Sequence, residues 1–172
     1  MIAPNMATML GFIVTDATLN ATDVQALLWR ATEKSFNRIV VDGDTSTNDA
    51  VLLLANGRNQ SPVDESALNT VCHHLAQDIV RDGEGVTKFV TINVRGTKTD
   101  ADARQIANTI ATSPLVKTAF YGNDANWGRI IAAAGRAGVD FDAAKVELRV
   151  ASVDDDELML VYQGTPCDYS EQ

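Results

Sequence analysis

The feature that most restricts the fold is the alternation of short apolar runs with helical stripes along the chain. Residues 9–15 (MLGFIVT) form an apolar run that predicts a buried strand. Residues 22–36 then place apolar side chains three and four positions apart, as an amphipathic helix does. Similar patterns follow, without an internal repeat or a low-complexity tract. The sequence therefore predicts an α/β (mixed α+β) fold in which layered helices pack on a mixed sheet.

The remaining elements are predicted from the same periodicities and from capping residues. They are strands at 38–41 and 90–94, helices at 50–55, 62–81, 100–112 and 127–136, and a hairpin of 146–150 with 158–162. We expect Thr22 to cap the first helix. The longest helix is expected to bury one apolar face, made of Leu68, Val71, Leu75 and Ile79.

The composition excludes several classes of function. The chain has 172 residues and a net charge of −9, which argues against nucleic acid or an anionic membrane as the main partner. Its apolar runs are too short to span a bilayer, and residues 1–4 do not resemble a secretory signal. Cys72 and Cys167 have no metal-binding or redox spacing, so we expect reduced thiols in a cytosolic protein.

Thr8 is the first candidate for chemistry. It follows the small residue Ala7 at the start of the first apolar run. A cut between Ala7 and Thr8 would leave a hydroxyl and a free α-amine on the same residue, which together supply a nucleophile and a base. The alternative is that Thr8 is an ordinary strand-forming residue, because threonine favours strands. Local sequence alone leaves both interpretations open.

Glu84 is the second candidate, because it lies between Gly83 and Gly85. Glycines let the backbone approach a ligand closely, and the carboxylate suits a substrate ammonium group. The alternative is a solvated turn. A nucleotide site is excluded here because the glycines precede a predicted strand, whereas phosphate loops follow one.

Three other polar groups have structural explanations that compete with functional ones. Residues 42–49 (DGDTSTND) have acidic spacing that suits Ca²⁺, but a capped turn is favoured because the EF-hand pattern is absent. His73 and His74 are adjacent on a helix and cannot easily share a metal. Residues 123–129 predict a helix cap, in which Arg129 is a candidate for orienting a carboxylate.

Four motifs in this order resemble the bifunctional ornithine acetyltransferases, which are the glutamate N-acetyltransferases of arginine biosynthesis (the ArgJ family). The motifs are MIAPNMATML at 1–10, DGDTSTND at 42–49, GEGVTK at 83–88 and YGNDANWGRI at 121–130. The resemblance covers nearly the whole chain and implies an ArgJ-like fold. It also implies self-cleavage between Ala7 and Thr8, so that residues 1–7 end an α chain and residues 8–172 are a partial β-chain domain.

The resemblance assigns roles to two residues. Thr8 matches the catalytic nucleophile, which takes the acetyl group from N-acetylornithine and passes it to glutamate. Thr8 and Glu84 match substrate-binding positions. No metal or organic cofactor is implied, although some members accept acetyl-CoA as a donor. The implied assembly is a cytoplasmic α₂β₂ heterotetramer with the α chain of the same precursor, without nucleic-acid or membrane partners.

The same resemblance implies that this chain is an incomplete part of the enzyme. The family's oxyanion-hole Thr–Gly pair, a substrate-binding lysine and C-terminal substrate contacts have no counterpart here, so we expect the isolated chain to be inactive. Two alternatives stay open. One is a related hydrolase in which water replaces glutamate, and the other is a non-enzymatic fragment in which Thr8 stays uncut.

Overall fold

The computed structural model describes residues 9–41, 43, 46–152 and 156–168, and the chain divides into two compact units between Phe89 and Val90. The α/β prediction is confirmed. Helices occur in both units, with a parallel pair of strands in the first and an antiparallel sheet in the second. The mixed pairing is therefore divided between two sheets. No helix in the described part of the chain is long and apolar enough to cross a membrane.

The first unit is built on a parallel pair of strands. β1 (Leu10–Thr15) pairs with β2 (Ala50–Ala55), and the register places the first residues of the two strands opposite each other. Parallel strands need a crossover, which contains α1 (Ala21–Glu33) and a short 3₁₀ turn (Phe36–Arg38). α2 (Glu65–Arg81) follows β2. Both strands consequently begin at the same edge of the pair.

The two faces of this strand pair differ in burial. One face packs on α1 and α2 in a core that contains Met9, Ile13, Leu27, Ala31, Phe36, Leu68, Cys72 and Ala76. The other face is also apolar, but its side chains are between 41% and 76% exposed. We call it the apolar sheet face, and it consists of Leu10, Phe12, Val14, Leu52 and Leu54. Adjacent exposed apolar side chains of this kind are typical of interaction surfaces and ligand-binding grooves.

The second unit combines three helices with a small antiparallel sheet. The helices are α3 (Asp100–Ala111), α4 (Pro114–Tyr121) and α5 (Trp127–Gly135). The strands are β3 (Leu148–Val150), β4 (Leu158–Tyr162) and β5 (Thr165–Pro166), in that order across the sheet. The predicted hairpin is therefore present. The core of this unit contains Ile106, Ile110, Val116, Ile130, Ala133, Ala134 and Ala137.

The predicted helix at 50–55 is wrong, because this segment is β2. Alanine and leucine favour helices, but a run of only six apolar residues does not distinguish a buried strand from a helix. Pairing with β1 decides the outcome, since the strands of parallel sheets also have continuous apolar sequences.

The predicted buried face of α2 is wrong in part. Leu68 is buried as expected, but Val71 and Leu75 are 45% and 37% exposed. The buried line instead continues through Cys72 and Ala76, four and eight positions after Leu68. Ile79 is partly buried against the same core, so Val71 and Leu75 are the members of the predicted face that lie outward.

Other boundaries also differ from the prediction. Asn20 caps α1 in place of Thr22, because its Oδ1 accepts the Thr22 N–H. α2 begins after Asp64 rather than at Pro62. Segments 39–41 and 90–94 are not strands, although Ile92 and Val94 still pack on the second core. α4 was not predicted, since Pro114 signals a break as readily as a helix start.

Candidate active site

The starting edge of β1 and β2 is held together by backbone bonds and one carboxylate. The Ala50 N–H donates to the Met9 carbonyl at 2.9 Å. The Met9 N–H in turn donates to Asp49 Oδ1, also at 2.9 Å. Asp49 is the residue directly before β2, and Met9 is the residue directly before β1. The N–H and the carbonyl of Met9 are therefore both hydrogen-bonded to residues at the start of β2, Asp49 and Ala50.

The second oxygen of Asp49 has no such partner. Oδ2 is buried and accepts no hydrogen bond from any residue that the structure describes. Asp49 also forms no ion pair with a lysine or arginine of the described segments. A buried carboxylate oxygen without a donor is costly, so each native example calls for a physical explanation.

Ala7 and Thr8, the predicted cleavage site and nucleophile, lie outside the described residues. The predicted boundary between residues 1–7 and 8–172 lies there too, and all three stay predictions. Thr8 is nevertheless joined to the Met9 nitrogen by a peptide bond. In the sequence, the predicted nucleophile is two positions before Leu10, the first residue of β1.

A cavity of about 240 Å³ opens beside this edge. Met9, Asp49 and the start of β2 form one wall, and α1 with the following 3₁₀ turn forms the other. The side chains from that second wall are Gln25, Leu28, Trp29, Thr32, Phe36 and Asn37. Trp29 is 61% exposed at this rim, which is unusual for so large an apolar side chain. The cavity provides both apolar surface and amide groups next to the strand edge.

Glu84 lies in the turn that follows α2 and is exposed. Within the described chain, its carboxylate forms neither a hydrogen bond nor an ion pair with another residue. Gly85 has a φ of +68°, in the left-handed region that glycine adopts without strain. The turn therefore presents a free carboxylate to solvent, as both the substrate-binding interpretation and the solvated-turn interpretation require.

A second cavity connects the end of α2 with the start of β1. It measures about 410 Å³ and is bordered by Leu10 and Phe12 on one side and by Asp78 and Asp82 on the other. Asp82 precedes Glu84 by two residues. Glu84 and the backbone next to Thr8 therefore lie toward the same end of the first unit. The substrate-binding roles of Thr8 and Glu84 stay predictions.

The motif at 121–130 forms a structural junction within the second unit. Asn126 caps α5, because its Oδ1 accepts the Arg129 N–H at 3.1 Å. The Arg129 guanidinium donates to the Leu115 carbonyl at 3.1 Å and to Thr118 Oγ1 at 3.3 Å, which links α5 to α4. The structure thus supports the helix-cap interpretation, and Arg129 is engaged with the protein itself rather than left free to orient a carboxylate.

The remaining candidates show no arrangement for metal or thiol chemistry. Among the described residues, no three His, Cys, Asp or Glu side chains are grouped to hold a metal. Asp42 and Asp44 of the acidic loop lie outside those residues. Both cysteines are free, and burial raises the pKa of the Cys72 thiol. Cys72 is therefore a core residue and a poor nucleophile.

The fold and this strand edge place the chain among layered α/β proteins. The ArgJ family model matches residues 1–172. An arginine biosynthesis bifunctional protein ArgJ from Desulfotalea psychrophila is 52% identical over 163 residues, which cover 89% of this chain and 42% of that protein. One from Dehalococcoides mccartyi is 53% identical over 158 residues, with coverages of 86% and 39%.

A solved structure agrees with the sequence relatives. The crystal structure of the arginine biosynthesis bifunctional protein ArgJ from Bacillus halodurans superposes with a TM-score of 0.86 at 39% identity, over 95% of this chain and 79% of that one. The chain therefore belongs to the ArgJ family. It spans about two fifths of the length of the curated relatives that it matches.

Sequence reasoning missed Asp49 as a member of this edge. The segment directly after it is predicted to be a helix at 50–55, whereas the structure forms β2 there. The available signal was an acidic residue at the end of a polar loop, directly before an apolar run short enough to be a strand.

Proposed function

We propose that the full-length protein containing this chain is a glutamate N-acetyltransferase with ornithine acetyltransferase activity. It transfers the acetyl group of N-acetylornithine to glutamate through an acetyl-threonine at Thr8. The observation that carries this proposal is the ArgJ match over residues 1–172, with relatives about half identical that are named as bifunctional arginine-biosynthesis proteins.

Amide acetyl transfer needs a nucleophile, a base and stabilisation of an oxyanion. A cut between Ala7 and Thr8 provides the first two, because an α-amine has a pKa of about 7.7–8.0 and accepts a hydroxyl proton near neutral pH. Glu84 binds the α-ammonium of the amino-acid substrate. Its exposure and lack of partners in the described chain support this role. Oxyanion stabilisation is assigned to parts of the full-length protein outside this chain.

Self-cleavage into two chains is part of the proposal. Both comparisons match nearly all of this chain, 89% of it with the Desulfotalea protein and 95% with the solved Bacillus chain. The matched part is 42% of the Desulfotalea protein but 79% of the solved Bacillus chain. The solved chain is consequently about half as long as that relative. A precursor cut near its middle produces chains of this length.

The apolar sheet face supports an α chain of the same precursor as the partner, in an α₂β₂ assembly. Its five side chains are exposed here, and an apolar surface of this kind needs a cover in water. No cofactor is invoked, and acetyl-CoA is a candidate second acetyl donor. We place the enzyme in the cytoplasm, where its two free cysteines stay reduced.

The first prediction tests the nucleophile. Incubating the full-length enzyme with N-acetylornithine alone, without glutamate, is expected to add about 42 mass units to Thr8, as an acyl intermediate requires. Peptide mass spectrometry locates the adduct. Thr8→Ala should abolish both the cut and the adduct, whereas Thr91→Ala, at an exposed position of the second unit, should change neither. An adduct that persists in Thr8→Ala would overturn the proposal.

A further inference from the structure

A cation–π contact closes the turn that carries Glu84. Arg81 is the last residue of α2, and its guanidinium carbon lies 4.6 Å from the centroid of the Phe89 ring. The same guanidinium donates to Asp78 Oδ1 at 3.1 Å and to Gln77 Oε1 at 3.2 Å, both on its own helix. These two bonds fix the plane of the guanidinium, so that its face stays on the ring. The contact thereby joins the two ends of the turn.

The middle of this turn is fixed as well. The Val86 N–H donates to the Gly83 carbonyl at 3.1 Å, which leaves Glu84 and Gly85 as the central residues of a β-turn. The φ of Gly85, +68°, lies in the region that a type II turn requires of its third residue. The Val86 side chain is so close to Gly83 that a Cβ there would be only 2.8 Å from Val86 Cγ2. The backbone that carries Glu84 therefore has one defined conformation within the described chain.

The carboxylate of Glu84 takes no part in this framework. It is exposed, and within the described chain Arg81 forms its ion pair with Asp78 rather than with Glu84. Because Asp78 holds the guanidinium on α2, Arg81 does not neutralise Glu84. A free negative charge on a fixed turn suits a substrate ammonium group, since little of the protein remains to be ordered on binding.

We propose that Arg81 and Phe89 are positioning residues that hold the turn of Glu84 in the conformation that binds the substrate ammonium. This inference rests on the acetyl-transfer function proposed above and extends it to two residues that act through Glu84. Without the cation–π contact, the residues between Arg81 and Phe89 move more freely, and substrate binding has to restrict them. The effect falls on KM, because a contact made equally in the bound substrate and in the transition state leaves kcat unchanged.

The test measures kcat and KM for N-acetylornithine in the full-length enzyme. Phe89→Leu keeps an apolar side chain but removes the ring face. We expect KM to rise about 2- to 5-fold, the equivalent of an exposed cation–π contact, with kcat unchanged. Phe89→Tyr keeps the ring face and should retain the original KM. Phe141→Leu is the matched control, because both phenylalanines are 38% exposed and Phe141 lies in the second unit. An unchanged KM in Phe89→Leu would overturn the inference.

A second measurement shows whether the contact acts through Glu84. Phe89→Leu should raise KM in the original enzyme but not in a Glu84→Gln background, where the charge to be positioned is absent. Arg81→Gln removes the cation and leaves the ring in place, so it should give the same pattern even where Phe89→Leu does not fold. An equal rise of KM in both backgrounds would show general structural support and overturn the inference. Activity in Thr8→Ala would instead overturn the proposed function itself.

Discussion

Two carboxylates of the first unit, Asp49 and Glu84, differ in their surroundings. Asp49 is partly buried and bonded to the backbone of Met9. Glu84 is exposed on a turn and has no partner within the described chain. A partly buried, anchored carboxylate holds the backbone in place, whereas an exposed one is suited to a substrate that enters and leaves.

The role proposed for Glu84 leads to a prediction on substrate binding. Glu84→Gln in the full-length enzyme should lower kcat/KM for N-acetylornithine about 10- to 100-fold, mainly through KM, because a charged hydrogen bond to the substrate ammonium is weakened. Steady-state kinetics measure it. Asp140→Asn, an exposed acidic position in the second unit, is the matched control. Unchanged KM and kcat in Glu84→Gln would favour the solvated-turn interpretation.

At the scale of elements, α1 and α2 are joined on their exposed sides by a two-pronged ion pair. The Arg30 guanidinium donates to Glu65 Oε1 at 3.0 Å and to Oε2 at 2.9 Å. Glu65 is also the first residue of α2, where the helix dipole favours negative charge. The hydrogen bond from Arg30 lowers the pKa of the Glu65 carboxyl below its usual 4.5.

This ion pair leads to a prediction on acid stability. Because the folded-state pKa of Glu65 is depressed, its stabilising contribution is complete above pH 4.5 and is lost as the pH falls through the lowered pKa. Arg30→Gln should therefore flatten the fall in stability on the acid side, while Arg58→Gln should leave it unchanged. Urea unfolding from about pH 3 to about pH 7 measures the free energy of unfolding. An equal loss of stability at acid pH in Arg30→Gln and in the unsubstituted protein would contradict the prediction.

At the scale of the whole molecule, the most unusual surface of the described chain is the apolar sheet face. Phe12 and Val14 are 61% and 76% exposed although they lie on a strand whose other face is in the core. A strand that is apolar on both faces is typical of a sheet buried on both sides. In the proposed two-chain assembly, the α chain would cover this face.

Charge placed on that face tests whether another chain covers it. Val14→Lys in the full-length protein should strongly reduce recovery of the two-chain assembly, because burying an unpaired ammonium is costly. Leu115→Lys is the matched control, since Leu115 is 61% exposed but lies in the second unit. Size-exclusion chromatography with intact mass measures both. Normal assembly of Val14→Lys would show that this face stays open to solvent.

Much of the fold could be predicted because the spacing of apolar residues that predicts a helix or a strand is kept in the folded chain. The α/β class, α3, α5 and the β3–β4 hairpin follow from residues that are near one another in sequence. The predictions for Thr8 and Glu84 came from motif resemblance. Both stay predictions, because Thr8 lies outside the described residues and the exposed Glu84 fits a substrate-binding role and a solvated turn equally well.

What the amino-acid order determined by itself is local: which segments are amphipathic, where the glycine turns lie, and which residues carry reactive groups. Only the tertiary structure decided that 50–55 is a strand, that Cys72 and Ala76 face the core, and that Asp49 bonds to Met9 across 40 positions. The physical reason is that a six-residue apolar run satisfies helix and strand equally well. Its backbone hydrogen bonds go to whichever partner lies beside it, and that partner is distant in sequence.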